Sequence, residues 1–208
     1  RELVLSASYR QTSKVSPELV ARDPKNQLAA RGPRQRLSAE MVRDQALVVS
    51  GLISLKPFGP PVYPPQPEGV WRSVYSGASW KTSEGEDRYR RALYTYSKRT
   101  SGYPAFLTFD APTRDVCSAR RISTNTPLQA LSLMNNSFVL RMSEALAERL
   151  QREAGDDPER QVARGYELTY GRLPREDERE LAVAFIREHG LSAFGRVLFN
   201  TNAFLCVA

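Results

Sequence analysis

Thr126-Pro127-Leu128-Gln129-Ala130-Leu131-Ser132-Leu133-Met134-Asn135-Asn136-Ser137-Phe138-Val139-Leu140-Arg141-Met142 opens two helices in quick succession. Thr126 is placed to accept from an amide of the first turn, Pro127 suits the first helical position, and Gln129 can reach back to the N-cap amide as in a capping box. Asn135-Asn136 ends that helix, and Ser137 begins another over residues 138–153. There Phe138, Met142, Ala145/Leu146 and Arg149/Leu150 recur at helical spacing. The pattern continues downstream. Gly155-Asp156-Asp157-Pro158 breaks the chain, and Asp157 caps a helix reaching Tyr170 with Val162, Tyr166 and Thr169/Tyr170 inward. Pro174 starts a further helix with a stripe of Leu181, Ala182, Phe185 and Ile186. Ser192 is the expected cap of a last one through Leu205, built on Phe194, Val197/Leu198 and Phe204/Leu205. Short amphipathic helices joined by short loops read as a bundle, so the expected fold class is mainly α.

Upstream the signals are mixed. Residues 1–9 resemble the tail of a helix, and Asp23-Pro24-Lys25-Asn26 is a turn or a helix start. Ser38 should cap a helix over residues 39–50, with Met41, Ala46, Val49 and Leu52 as its apolar face and Gly51 as its stop. Six prolines follow between residues 57 and 67: Pro57, Pro60, Pro61, Pro64, Pro65 and Pro67. Proline lacks an N–H and fixes φ, so neither a helix nor a central strand survives that density. The stretch should be an extended strap, with Phe58, Val62 and Tyr63 to bury, or else a docking ligand for an aromatic groove. Residues 71–75 and 79–82 fit a small β-hairpin around Ser76-Gly77. Residues 88–99 read as a helix on Tyr89, Leu93 and Tyr96, with a strand as the alternative. The expected organisation is an irregular Pro- and Arg-rich part, 1–125, continuous with a helical bundle, 126–208. The opening Arg1-Glu2-Leu3-Val4-Leu5 reads like the interior of a helix, so the chain is expected to be a piece of a longer protein.

With 208 residues, 41% hydrophobic and 25% charged, the chain can bury a core of its own. It contains no run of about 18 apolar residues, so no membrane span is expected. The net charge of +7 is uneven. Residues 1–60 hold 10 basic and 5 acidic side chains, residues 61–126 hold 10 and 6, and residues 127–208 hold 10 and 12. The first two-thirds could attract an anion, but the basic residues are dispersed and match no nucleic-acid module, so nucleic acid ranks last among partners. The one histidine, His189, excludes any site that needs two, and its place before Gly190 suits a helix C-terminus. Cys117 and Cys206 have no metal-site spacing; they form one disulfide or remain two free thiols. The chain has no Gly-rich phosphate loop, no GxSxG, no HExxH and no CxxCH.

Chemistry-bearing residues concentrate in the middle. Asp110, Arg114, Asp115, Arg120, Arg121 and Asn125 lie within one short stretch, and Trp71 and Trp80 precede it. Carboxylates among guanidiniums are ordinarily ionised and paired rather than poised for proton transfer. Such a stretch builds either a polar network that ties the irregular chain to the helices or a site for an anionic or hydroxylated ligand. Tryptophans at a surface stack on sugar rings; elsewhere they fill a core.

The same residues carry a family resemblance. Ser8-Tyr9-Arg10-Gln11, Asp23-Pro24, Arg36-Leu37-Ser38-Ala39-Glu40, Arg43-Asp44, Gly59-Pro60-Pro61-Val62 and Trp71 match in order. So do the runs 90–96, 98–100, 109–114, 124–131 and 199–205, together with Cys117. The chain resembles the PSD-type domain of unknown function that occurs with planctomycete cytochrome c-like domains. It departs from the usual pattern at Ser97, Asn136, Ala203 and Ala208. The resemblance implies a helical C-terminal domain of a large exported protein, at the periplasm or cell surface, with any haem in an upstream domain and no cofactor in this chain. It carries over no catalytic residue. The expected function is therefore a binding or scaffold module whose partners are upstream domains of the same protein and an acidic or neutral glycan. The alternative is part of a hydrolase or oxidoreductase acting on polysaccharide, with Asp110, Arg114 and Asp115 as first suspects and its site completed elsewhere.

Overall fold

The computed structural model of the chain describes residues 1–66, 79–99 and 101–207. The fold is mainly α, and among the described residues the only named strands are two short ones that pair with each other. The chain divides into two compact units, Arg1–Leu37 with the C-terminal strand, and Ser38–Leu205. The expected Trp71 and hairpin strand 71–75 lie outside the described residues, and residues 79–82 form no strand.

The smaller unit is held by turns rather than by a core. Helix α1 (Glu2–Leu5) buries nothing, and α2 (Pro17–Arg22) is capped by Ser16, whose hydroxyl accepts from the Leu19 amide. Asp23 closes α2 rather than opening a helix. Its carboxylate accepts from the Leu28 and Gln27 amides, both at 2.8 Å, which holds its pKa below the ordinary value. Strand β1 (Gln35–Arg36) pairs antiparallel with β2 (Cys206–Val207).

The larger unit forms around α6 (Ser137–Ala154), which packs on α8 (Glu176–Phe199), α3 (Ala39–Ser50) and α7 (Pro158–Tyr170). Its buried row is Phe138, Val139, Met142, Ala145, Leu146 and Leu150, as the helical spacing predicts. Gly195 lets α8 approach α6 closely: a Cβ there would meet the Ser143 carbonyl oxygen at 3.1 Å. Ser38 and Gly51 bracket α3 as expected, and Ala46 and Val49 face inward as expected, but Met41 is exposed; the rest of the inward row is Ala39, Val42, Arg43 and Leu47. Helix α8 runs through the expected cap Ser192 and breaks instead at Gly190, where φ is +83°. Leu181 is exposed, and the chain after Asn200 starts a separate turn, α9 (Asn202–Leu205). Two short helices complete the unit, α4 (Pro104–Thr108) and α5 (Pro127–Asn135).

Residues 88–99 do not form a helix. One 3₁₀ turn, Gly85–Tyr89, runs into this segment, a second, Ala92–Tyr94, lies inside it, and the chain then pairs with the proline strap. The Val62 amide donates to the Tyr94 carbonyl and the Tyr96 amide donates to the Val62 carbonyl, each at 2.8 Å, so this backbone is spent on tertiary pairing. The strap buries Val62 and Pro64 but leaves Phe58 exposed. Arg90, 1% exposed, gathers the strap's carbonyls: Pro60 at 3.1 Å, Lys56 at 3.2 Å, and Phe58. Its guanidinium lies 3.7 Å from the Tyr94 ring centroid. Lysine supplies a point charge instead of a fork. Arg90→Lys should therefore raise amide hydrogen exchange at Val62 and Tyr63 by about 10- to 100-fold, the equivalent of ~1.5–3 kcal/mol for lost charged hydrogen bonds. Amides within α6 should keep their protection.

At the start of α8, Glu178 accepts from both Arg172 nitrogens at 2.7 and 2.8 Å and from the Arg175 amide at 2.9 Å. The Arg172 hydrogen bonds, opposed by burial and aided by the Arg175 amide, lower its pKa from 4.5 to about 2. A carboxylate whose pKa is depressed by folding stabilises the native state above its unfolded value, and that stability is lost as pH falls towards the folded one. Glu178→Gln should therefore lower the melting temperature at pH 7 and flatten its decline between pH 4.5 and 2 relative to the parent chain. An unchanged acid limb would show that this carboxylate contributes nothing.

Candidate functional site

The middle segment is tied down by three side chains. Helix α4 ends at Thr108 with Phe109 as its C-cap, and the Ala111 amide folds back onto the Phe106 carbonyl at 2.9 Å. That reversal puts Asp110 at φ +62°, in the left-handed region that aspartate tolerates better than most residues. Its carboxylate accepts from the Thr124 amide and hydroxyl, both at 2.8 Å, and from the Gln129 side-chain amide at 3.3 Å. Gln129 is 1% exposed and also donates to the Thr108 carbonyl at 2.9 Å. Its oxygen accepts from the Thr126 amide at 3.3 Å, which completes the capping box read from the sequence. A buried glutamine is tolerable because its donors and acceptor are all used.

Beyond Asp110 the chain runs along a small cleft of about 30 Å³, lined by Ala111 and Arg114 together with Thr95, Tyr96, Ser97 and Tyr103. Arg114 also has a left-handed backbone, φ +65°. Its guanidinium is exposed and forms no hydrogen bond or ion pair among the described residues. Glu40 lines the same cleft, gripped by Arg121 through two hydrogen bonds of 2.7 and 3.1 Å. Burial is the largest single influence on the Glu40 pKa and raises it, but the hydrogen bonds from Arg121, the Glu40 amide and Ser38, together with the Arg121 charge, make the net displacement downward. The Thr95 hydroxyl is buried with no hydrogen-bond partner among the described residues.

Aromatic side chains back this cleft. Trp80 stacks on Tyr103 with ring centroids 5.5 Å apart and planes 10° from parallel, and it meets Tyr63 edge-on at 5.1 Å. Its indole N–H donates to the Pro64 carbonyl at 2.8 Å, and the Tyr103 hydroxyl donates to Pro65 at 2.9 Å. Trp80 is thus an anchor for the strap, and Tyr96 stacks on Tyr63 at 4.8 Å.

Residues 1–186 match the family described as PSD1, Protein of unknown function (DUF1553). The chain belongs to that family. No curated protein and no solved structure matches it. Within this PSD1 domain the expected site residues separate into four groups. Asp110 is internal, Arg121 is paired with Glu40, and Arg114 is at the cleft. Asp115, Arg120 and Asn125 are exposed, and their side chains bond to nothing among the described residues. Both cysteines are free thiols, Cys117 exposed and Cys206 half-buried. Among the described residues no three His, Cys, Asp or Glu side chains gather in a way that could hold a metal ion. Glu40, Thr95 and Tyr103 were not among the site residues expected from the sequence. Glu40 meets its partner across 81 positions, and no local spacing signals such a pair.

Asp110→Ala removes the acceptor for Thr124 and Gln129 and places alanine at a positive φ. It should cost ~1–3 kcal/mol for the stranded donors and ~1–2 kcal/mol for the backbone. Asp110→Asn, which keeps an acceptor and tolerates the left-handed conformation, should cost clearly less. Urea denaturation of both variants checks this order; equal losses would contradict it.

Proposed function

We propose that this domain is a binding module, and that the Arg114 cleft receives a carboxylate or hydroxyl group of an acidic glycan. The observation that carries the reading is Arg114 itself: a guanidinium without an internal partner, on left-handed backbone, beside an unpaired Thr95 hydroxyl. A strained non-glycine backbone persists only where the surroundings hold it, and such positions cluster at functional sites. The cleft is too small for a sugar ring, so a polysaccharide would lie across the surface with one substituent inserted. The unpaired Arg120 adds positive charge on the neighbouring exposed chain. Attachment to upstream domains of a larger exported protein, one of them a cytochrome c-like haem carrier, belongs to the same proposal.

The enzymatic reading has weaker support. Asp110 spends its oxygens on Thr124 and Gln129, while Asp115 is exposed. General acid–base chemistry requires groups free to reach one substrate atom, and the Asp110 oxygens are already committed to its own network.

Thermal shifts with polygalacturonate, a neutral glucan and duplex DNA, each at low and high salt, test the proposal. Polygalacturonate should stabilise the chain at both salt concentrations, and Arg114→Ala should abolish that shift while leaving the unliganded melting temperature within about 2 °C, since surface changes are usually worth less than ~0.5 kcal/mol. A shift given by every polyanion and removed by salt would reduce the effect to general charge attraction.

A further inference from the structure

A second concavity lies on the far end of the bundle sequence, between the C-terminal end of α5 and the part of α8 that follows its break at Gly190. Its volume is about 280 Å³. That approaches the ~300–1,000 Å³ usual for small-ligand pockets. The walls are Met134, Phe185, Ala193 and Val197, with Arg196 and Asn200 alongside. Ala193, Arg196, Val197 and Asn200 fall at i, i+3, i+4 and i+7, so they share one face of the helix. Phe185 belongs to the part of α8 before Gly190, so residues from both sides of the break contribute to the walls.

Arg196 distinguishes this pocket. Among the described residues it is the only arginine that is not fully exposed and yet makes neither a hydrogen bond nor an ion pair. Elsewhere the half-buried and buried arginines are engaged: Arg43 bonds the Arg88 carbonyl, Arg149 bonds the Val48 and Val49 carbonyls, and Arg164 pairs with Glu153 and Glu167. The Asn200 side chain is likewise without a partner. A guanidinium partly removed from water and left unpaired is costly unless an anion meets it.

We infer that this pocket binds an amphipathic monocarboxylate, with its aliphatic part against Met134, Phe185, Ala193 and Val197 and its carboxylate on Arg196 and Asn200. At the ~30 Å³ of one water-sized group, the volume holds an aliphatic chain of about eight carbons. The chemistry favours a ligand with one polar end over a peptide. Both walls are helical, with backbone groups already spent on helix hydrogen bonds, and the Thr201 hydroxyl is engaged by Tyr170, Leu198 and Phe204. A peptide's amides would find no row of partners. This site is independent of the Arg114 cleft.

The test is calorimetric titration of the 208-residue chain with octanoate, octylamine and 1-octanol. Octanoate should bind at least about 10-fold more tightly than octylamine, the scale of one charge-assisted hydrogen-bonded contact. Arg196→Gln should weaken octanoate about 10-fold or more and leave octanol unchanged. Val197→Glu, at a half-exposed position that tolerates charge, should weaken octanoate and strengthen octylamine. Equal affinity for octanoate and octylamine, or indifference of octanoate to both substitutions, would overturn the assignment. So would displacement of octanoate by a peptide with a free C-terminal leucine at lower concentration, which would make the pocket a peptide site. Arg114→Ala should not alter octanoate binding, so failure here is distinguishable from failure of the glycan reading.

Discussion

A proline-rich strap creates carbonyl groups that its own backbone cannot satisfy, and the buried Arg90 guanidinium is what answers them. Pro57, Pro60 and Pro61 carry no N–H, so the segment cannot join a regular ladder on its own account. Arg90 reaches the carbonyls of Lys56, Phe58 and Pro60 from one planar group, and Tyr94 covers the face of that group. With the strap fixed, Val62 can pair with the 94–96 backbone, and Trp80 can settle against Tyr63 and Tyr103. Tyr103 precedes α4 and lines the Arg114 cleft, so the wall of the candidate site depends on the same interaction.

Arginine serves three purposes in this molecule. Arg43 and Arg90 are internal: each supplies donors to backbone carbonyls and lies over an aromatic ring, with Arg43 4.2 Å from the Phe138 centroid. Burial lowers the Arg43 pKa to about 10, which still leaves it charged at neutral pH. Others lock helices together at the surface; Arg149 bonds the last carbonyls of α3 while pairing with Glu153, which Arg164 of α7 also holds. The third group, Arg114, Arg120 and Arg196, has no internal role of this kind, and both proposed ligand sites draw on it. The excess positive charge is therefore not a uniform coating. Part of it is consumed by folding, and a smaller part is left available to anions.

The Asp110–Thr124–Gln129 network explains how an irregular segment remains ordered beside a helical bundle. Few apolar groups in residues 113–123 are buried, so hydrophobic burial cannot hold that stretch. Closing both of its ends on one buried glutamine lets polar contacts do so instead, because each partner is satisfied in a protected environment. The exposed loop between those ends carries Arg114 and Arg120.

By itself the sequence determined the C-terminal helices. The caps at Ser38, Thr126 and Asp157, the 3.6-residue spacing of Phe138, Met142, Leu146 and Leu150, and the prolines that exclude helix at 57–67 all act through a few neighbouring residues. It also marked Asp110 as a polar residue to be accounted for and Gln129 as a capping partner. Tertiary structure decided the rest. Residues 88–99 have helical spacing, yet the strap's backbone, some thirty residues away, claims their hydrogen bonds. The break in α8 falls at Gly190, just before the expected cap Ser192, because the positive φ there departs from helical geometry, and Met41 turns outward because α6 packs against the opposite face of α3. The pairing of Glu40 with Arg121 and the isolation of Arg196 depend on which distant groups come within about 3 Å, the reach of a hydrogen bond. Local periodicity carries no information about that.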